Sequence, residues 1–394
     1  MSGDTEVEAS TEFIRALAEG IGPRPPGSRR EHLAAEVIAA ELERNGLTAT
    51  IEEFASQRSF GPTYLVIFTL ALLACPLGQL RARGRFIGAV AGLLAAALGA
   101  GESGFVFRSP LNLLRRRRSQ NVWASIDPAG GSEPAATEPS QTICLVSHMD
   151  SSRSGLMFHP VVTPHLGVLT GVAGGAVAVN SLAPILRKVT GGRLVLGLVR
   201  MLIGASAAIV LERELRGVDV AGANDNASGV AACLNLAAHF KDERLANTRV
   251  VVLVTGSEES GVIGMRNFLM NHDTRGWLFI NFDGVSAEAP LRVLSRENGP
   301  IGNRADPDLL EAAAEVGRAE PELMATPLRD GSGLPYDATA VMAKGGGAIT
   351  IVNQDGAIPD YHWPTDTADK VSDAAFGRAV RFGVALVRTL DEKV

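Results

Sequence analysis

Five short polar motifs follow apolar, strand-like segments of this 394-residue chain, and each carries a side chain that can bind a metal ion. In open α/β sheets, ligands and catalytic groups collect at the carboxyl ends of the strands. Together the motifs bring two imidazoles and three carboxylates, which suits zinc, with manganese or cobalt also acceptable. The same set suits hydrolysis by a pair of metal ions. The candidate ligands are His148, Asp225, Glu259, Asp283 and His362.

Each motif taken alone has a simpler interpretation. His-x-Asp is a common sequence, Asp225 or Asn226 could cap the helix that follows, and adjacent glutamates favour the first turn of a helix. The pair Glu258-Glu259 is the hardest to explain by packing, because it directly follows an apolar strand. Neighbouring side chains point in different directions, so one glutamate can bind a metal ion while the other acts as general base.

The composition excludes several classes of protein. The net charge of −6 gives no indication of a nucleic-acid partner. Three widely separated cysteines exclude a CxxC zinc site, and we expect them to be reduced and packed. The acidic first twenty residues lack the pattern of a signal peptide, so we expect no secretion by that route.

Two pairs of apolar runs interrupt the rest of the sequence. The first occupies residues 62–80 and 86–107, and the second residues 167–186 and 194–211. Each run has about the 20 residues that a membrane-spanning helix needs. Asn180, Pro184 and Arg200 weaken the second pair, because such groups are costly in lipid. The alternative is two buried helical hairpins, which could form the interface of a homo-oligomer.

Outside these runs, apolar strand-like and helix-like segments alternate, which indicates an α/β domain with a mostly parallel sheet. The runs therefore look like insertions into one domain. We expect one catalytic α/β domain at residues 1–60, 108–158 and 217–394, with inserted transmembrane hairpins at 61–107 and 160–212. The predicted strands are residues 48–54, 121–126, 142–147, 248–255, 277–282, 291–294 and 348–352, and the predicted helices are 29–45, 227–241, 262–271, 307–318 and 372–390.

The order of the motifs resembles the zinc aminopeptidase family that includes aminopeptidase Y, bacterial leucyl aminopeptidases, glutamate carboxypeptidase II and the glutaminyl cyclases. The motifs are His-x-Asp, Asp-Asn-x-Ser-Gly, Glu-Glu, Asn-x-Asp and a late His before Asp-Thr-x-Asp-Lys. The resemblance covers residues 13–54, 121–150 and 219–394. It implies a three-layer αβα sandwich with a mostly parallel mixed sheet, of the phosphorylase/hydrolase-like type, here with two inserted apolar hairpins.

The resemblance also implies a role for each motif. One zinc would be held by His148 and Asp283 and the other by Glu259 and His362, with Asp225 bridging them. Glu258 would be the general base, and Asp150 would orient His148. The peptide bond after Asp225 would be cis, and Tyr336 would stabilise an oxyanion or contact substrate.

One departure concerns the 74 residues between Asp150 and Asp225, where soluble family members have a short loop. This insertion must be accommodated beside the site, so it bears on the type of substrate and on how the substrate reaches the site. The expected activity is hydrolysis of N-terminal peptide bonds at a membrane, with a peptide substrate and the lipid bilayer as partners. The alternatives are a single-zinc cyclase-like enzyme and an inactive membrane scaffold of the same fold. The arginines at positions 115–118 favour a cytoplasmic catalytic domain, although Arg81, Arg83 and Arg85 lie in the opposite loop.

Overall fold

The computed structural model describes residues 3–78, 82–105, 117–129, 139–183, 192–298, 302–323 and 333–394. The chain divides into two compact units. The first comprises Met1–Arg58, Arg116–Arg153 and Asp219–Val394, and the second comprises Ser59–Arg115 and Ser154–Val218. Arg81, Arg115, Arg116 and most of the polar loop at residues 130–140 lie outside the described residues.

The first unit is built on a seven-stranded sheet. Its strands are β1 (Thr50–Ser56), β2 (Arg117–Ile126), β3 (Gln141–His148), β4 (Thr248–Thr255), β5 (Leu278–Phe282), β6 (Leu291–Val293) and β9 (Gly347–Asn353). Their order is β1-β2-β4-β3-β5-β9-β6, with β7 (Arg296–Glu297) and β8 (Asn303–Arg304) forming a separate ribbon. The four central strands are parallel, and the pairs at both margins are antiparallel.

Helices cover the sheet. They are α1 (Gly3–Arg15), α2 (Arg29–Arg44), α7 (Gly229–Asp242), α8 (Ile263–Asn271), α9 (Pro307–Ala319), α10 (Asp337–Ala343) and α11 (Asp373–Asp391). The central strands β3 and β4 are buried along nearly their whole length, as expected for parallel strands with helices on both faces. The predicted αβα fold with a mostly parallel mixed sheet is therefore confirmed.

The second unit is a bundle of four apolar helices, namely α3 (Gly61–Gly78), α4 (Ala82–Gly104), α5 (Leu166–Leu182) and α6 (Gly192–Arg216). Its core includes Ile67, Phe68, Leu98, Val177 and Ile203. Among the described residues, three stretches are long and apolar enough to cross a membrane: Phe86–Gly104, Thr163–Leu182 and Leu194–Arg216. A fourth, Gly61–Ala74, is shorter.

Candidate metal centre

The parallel strands bring the candidate ligands to one edge of the sheet. His148 is the last residue of β3, and Asp283 directly follows β5. Glu259 lies in the turn after β4, and Asp225 precedes α7. His362 lies in the loop after β9. All five side chains are buried, so the site has little contact with bulk water.

The ligand atoms form two half-sites that share Asp225. His148 Nε2 lies 3.3 Å from Asp225 Oδ1 and 3.4 Å from Asp283 Oδ2. His362 Nε2 lies 3.2 Å from Asp225 Oδ2 and 3.1 Å from Glu259 Oε1. Ligand atoms about 2.0–2.1 Å from a tetrahedral zinc would stand roughly 3.3–3.4 Å from one another. Each half-site therefore has the spacing of a zinc site, and Asp225 offers one oxygen to each.

The chemistry of the donor atoms fits a cation equally well. Ligand atoms of His148, Asp225 and Glu259 all lie within 4.8 Å of one another. Within the described part of the chain, neither Asp225 Oδ2 nor Glu259 Oε1 has a hydrogen-bond partner of good geometry. A buried carboxylate oxygen without a hydrogen bond is costly, and a bound cation would compensate it. The peptide bond Asp225–Asn226 is cis, as the resemblance implies.

The imidazoles and carboxylates strongly perturb one another in the metal-free protein. Burial acts to lower the pKa of His148, but the nearby carboxylates of Asp150, Asp225 and Asp283 raise that pKa well above its ordinary value. Burial also acts to lower the pKa of His362, but neighbouring carboxylates raise that pKa to about 9. Without a metal ion, the neighbouring carboxylates therefore favour the protonated form of both rings.

Glu258, the candidate general base, is half-buried beside the ligands. Burial raises the pKa of its carboxyl well above the ordinary value, and the nearby carboxylates of Glu259, Asp337 and Asp283 add to the effect. His148 opposes the shift. Two divalent cations at the adjacent half-sites would lower this pKa again, because an opposite charge stabilises the carboxylate.

Asp150 makes backbone contacts in addition to its expected contact with the His148 imidazole. His148 Nδ1 lies 3.1 Å from the main-chain oxygen of Asp150, whereas the nearest carboxylate oxygen is 3.7 Å away. The two carboxylate oxygens accept hydrogen bonds from the backbone N–H groups of Glu258 and Glu259, each at 3.0 Å. Asp150 therefore links the His148 segment to the turn that carries Glu258 and Glu259.

Several residues support the ligands in ways that the sequence did not indicate. Asn226 Oδ1 accepts from the backbone N–H groups of Gly229 and Gly284, so this side chain joins the start of α7 to the segment after Asp283. The buried Glu31 on α2 accepts from the backbone N–H group of Ser257 at 2.9 Å. These interactions hold the ligand-bearing loops through main-chain atoms.

Arg24 and Asp366 are two further supporting residues, and both are buried. Burial lowers the pKa of Arg24 to about 10, against the attraction of Asp366, Asp150 and Asp225, so its guanidinium stays charged at neutral pH. Arg24 belongs to the segment Pro-Arg-Pro-Pro-Gly-Ser at residues 23–28, which resembles the opening of the family, and Asp366 belongs to the late Asp-Thr-x-Asp-Lys segment. Their positions in these motifs are the only sequence signal that pointed to them.

Tyr336 lies in an apolar cluster beside the centre. It packs with Leu294, Val352 and Ile358, and Tyr361 packs against the same cluster. The Tyr361 ring stacks on the His362 ring with 3.8 Å between centroids. The cluster thus supports the His362 side of the centre, and a role for Tyr336 towards substrate stays a prediction.

Residues 207–387 match peptidase family M28. The matched segment contains the candidate base Glu258 and four candidate ligands, and His148 lies before it. The predicted resemblance to this family of zinc aminopeptidases is confirmed.

One curated relative is a probable lipoprotein aminopeptidase of Mycobacterium tuberculosis, LpqL. It is 26% identical over 184 residues, which is 40% of this chain and 37% of the relative. The chain therefore matches well under half the length of this relative.

Solved structures share the fold. A zinc aminopeptidase from Bacillus subtilis has a TM-score of 0.56 at 16% identity, covering 97% of this chain and 94% of that one. An aminopeptidase from an Aneurinibacillus species gives 0.56 at 15% identity, covering 97% and 93%. The glutaminyl cyclase of Bacteroides thetaiotaomicron, bound to N-acetylhistamine, gives 0.55 at 13% identity and covers 97% of both chains. The fold is thus that of both zinc aminopeptidases and glutaminyl cyclases.

Proposed function

We propose that the chain is a zinc-dependent exopeptidase of the aminopeptidase type, attached to a membrane, that uses two metal ions and Glu258 as general base. The observation that carries this proposal is the division of the ligands into two half-sites sharing Asp225. The match to peptidase family M28 supports the peptidase chemistry. The fold shared with zinc aminopeptidases supports zinc as the metal.

Bound zinc would supply a lower pKa for the attacking water and polarisation of the scissile carbonyl. Glu258 accepts a proton from that water as the new carbon–oxygen bond forms. It then returns a proton to the leaving nitrogen as the carbon–nitrogen bond breaks, so the carboxylate is regenerated and the proton balance closes. Asp150 holds the backbone of Glu258 and thereby fixes the position of the base.

A glutaminyl-cyclase-like reaction with one zinc is the second candidate, because the fold is equally that of a glutaminyl cyclase. The complete second half-site argues for the peptidase. In a single-zinc enzyme, the zinc-like distances from His148 Nε2 to Asp225 and Asp283 would serve no second metal ion.

Attachment to a membrane rests on the second unit. Large apolar side chains of its helices are exposed, for example Phe86 at 71% and Leu194 at 77%. Exposed apolar patches of this kind mark an interaction surface, and acyl chains would cover them along three stretches of spanning length. The relative from M. tuberculosis is named a lipoprotein, which agrees with action at a membrane.

Activity of the purified full-length chain in detergent tests the proposal. A panel of aminoacyl and dipeptide substrates should be hydrolysed only when the amino terminus is free. Replacing Glu258 with Gln should lower turnover on the order of 10²–10⁴-fold, because an amide cannot accept the proton. The same exchange at Glu288, which is exposed, should leave turnover unchanged.

Three outcomes would contradict the proposal. Hydrolysis of N-acetylated peptides at the same rate would remove the aminopeptidase assignment. Near-normal turnover of Glu258→Gln would remove Glu258 from the mechanism. Cyclisation of N-terminal glutamine without peptide hydrolysis would favour the second candidate.

A further inference from the structure

Asp366 is a buried aspartate whose carboxylate faces the backbone of the candidate bridging ligand. It lies four residues after His362. Its Oδ1 accepts from the backbone N–H of Asn224 at 2.7 Å, and its Oδ2 accepts from the backbone N–H of Asp225 at 3.1 Å. These two hydrogen bonds thereby join the loop that supplies His362 to the loop that supplies Asp225.

Asp150 repeats this arrangement on the other half-site. It follows His148 by two residues, and its two oxygens accept from consecutive backbone N–H groups, those of Glu258 and Glu259. In both cases an aspartate close after a candidate histidine ligand holds the backbone of a candidate carboxylate ligand. Two independent uses of one arrangement indicate that these contacts serve the metal centre.

Arg24 forms hydrogen bonds with the backbone carbonyl groups of the Asp225 loop. Its guanidinium donates to the main-chain oxygens of Ala221 at 2.8 Å and Gly222 at 3.0 Å. It also donates to the main-chain oxygen of Met149, next to His148, at 2.9 Å. The backbone next to Asp225 is therefore held on both sides. The Arg24 guanidinium donates to its carbonyl oxygens, and the Asp366 carboxylate accepts from its N–H groups.

We propose that Asp366 is a positioning residue that sets the carboxylate of Asp225 between the two half-sites. The inference rests on the proposed function, in which these half-sites bind zinc. Because Asp225 gives one oxygen to each half-site, a displaced Asp225 would weaken both zinc sites together. Loss of such supporting hydrogen bonds typically costs about 10–100-fold in metal affinity or activity.

The variant Asp366→Asn isolates this role. Asparagine has the shape of aspartate but only one acceptor oxygen, so one of the two backbone N–H groups loses its acceptor. A buried donor without a partner is unfavourable, and the loop should shift. The matched control is Asp360→Asn in the same loop, because Asp360 makes a partly exposed ion pair with Lys370.

Zinc affinity of the full-length chain in detergent is the measurement. Zn²⁺ is titrated into metal-free protein in competition with a chromophoric chelator, and the d–d absorption of Co²⁺ reports the geometry of the ligands. Asp366→Asn should bind both zinc ions about 10–100-fold more weakly and alter the Co²⁺ spectrum. Asp360→Asn should match the wild type in both readouts.

Unchanged affinity in a folded Asp366→Asn protein would overturn the inference, as would weakening of a single site. If that variant does not fold, Asp366→Glu keeps the charge but moves the oxygens by one methylene, and wild-type affinity in it would also overturn the inference. A wild-type chain that binds no zinc would instead overturn the proposed function. The two failures are therefore distinguishable.

Discussion

Asp225 differs from the other four candidate ligands because each of its carboxylate oxygens faces a different imidazole. Asp283 and Glu259 each face one. The two kinds of ligand should therefore respond differently to removal. A bridging carboxylate also screens the repulsion between two cations, so its loss affects both of them.

Removal of single ligands is the first prediction at the residue scale. Asp225→Ala should lose both zinc ions, whereas Asp283→Ala should lose one ion preferentially and keep the other. Elemental analysis of the purified variants measures this directly. A full metal complement in Asp225→Ala would exclude the bridging role.

The raised pKa values of the histidines predict that zinc binding releases protons. With a pKa of about 9, His362 is protonated at pH 7.5, and the raised pKa of His148 acts in the same direction. Zinc binds only the neutral ring, so each ring must release its proton when the ion enters. The release should be large at pH 7.5 and should fall as the pH rises through the pKa of His362.

Calorimetric titration of zinc in buffers of different ionisation enthalpy measures the number of protons released. A heat of binding that is the same in every buffer at pH 7.5 would contradict this prediction. The variant His159→Ala, which changes an imidazole outside the centre, should release as many protons as the wild type.

Sequence reasoning singled out four candidate ligands because each stands at or after the end of an apolar strand, where side-chain type is informative. Asp225 was singled out because its polar motif directly precedes a helix. It did not assign roles to Arg24, Asp366 or Glu31. Their partners are backbone N–H and C=O groups far away in the chain, and such groups leave no signature in the sequence. Asp150 illustrates the same limit, because its backbone partners at positions 258 and 259 are visible only in the fold.

At the scale of elements, the central strands and most of the long helices followed from hydrophobic patterns, whereas α1 was not predicted. Strand β4 has the predicted bounds, and β3 extends one residue beyond them at each end. Helix α10 was not predicted, because its seven residues are too few to show a helical period. The short ribbon of β7 and β8 was missed for the same reason.

The turn before Asp225 shows how an element positions a ligand. Gly222 has a φ of +62°, and a Cβ placed there would lie 2.5 Å from the main-chain oxygen of Asp225 and 2.7 Å from Ser151 Cβ. Gly345 has a comparable φ of +78°, yet a Cβ there would meet nothing within 4 Å. Alanine at either position would therefore pay for the left-handed backbone, but only alanine at Gly222 would also clash with residues of the centre.

We predict that Gly222→Ala lowers both stability and zinc content, whereas Gly345→Ala lowers stability alone. The left-handed conformation costs alanine about 1–2 kcal/mol at either position. Only the first variant must also displace the Asp225 loop. Thermal unfolding and elemental analysis of both variants test this, and equal zinc content in the two would contradict the role of the turn.

At the scale of the whole molecule, the chain passes between its two units four times, because the second unit is contributed by two separate segments. Apolar side chains such as Met201 at 63% and Val168 at 69% are exposed on this unit. Burial of a large apolar side chain is worth about 1.5–3 kcal/mol, so a surface of this kind is unstable in water unless lipid or protein covers it.

We therefore predict that the protein fractionates with membranes and resists extraction by alkaline carbonate. Shielding of the first unit from protease added to intact cells would agree with a cytoplasmic catalytic domain, and permeabilised cells provide the control. Release of active enzyme by carbonate would show instead that the apolar helices are buried or form an interface between protein chains.

The central claim, that two metal ions act together at the half-sites joined by Asp225, is tested most directly by titrating metal-free protein with zinc. Bound zinc and hydrolysis of a dipeptide are measured on the same samples of the full-length chain. We predict binding of about two ions per chain, with activity that becomes complete only as the second ion binds. Saturation at one ion per chain, with full activity, would contradict the claim.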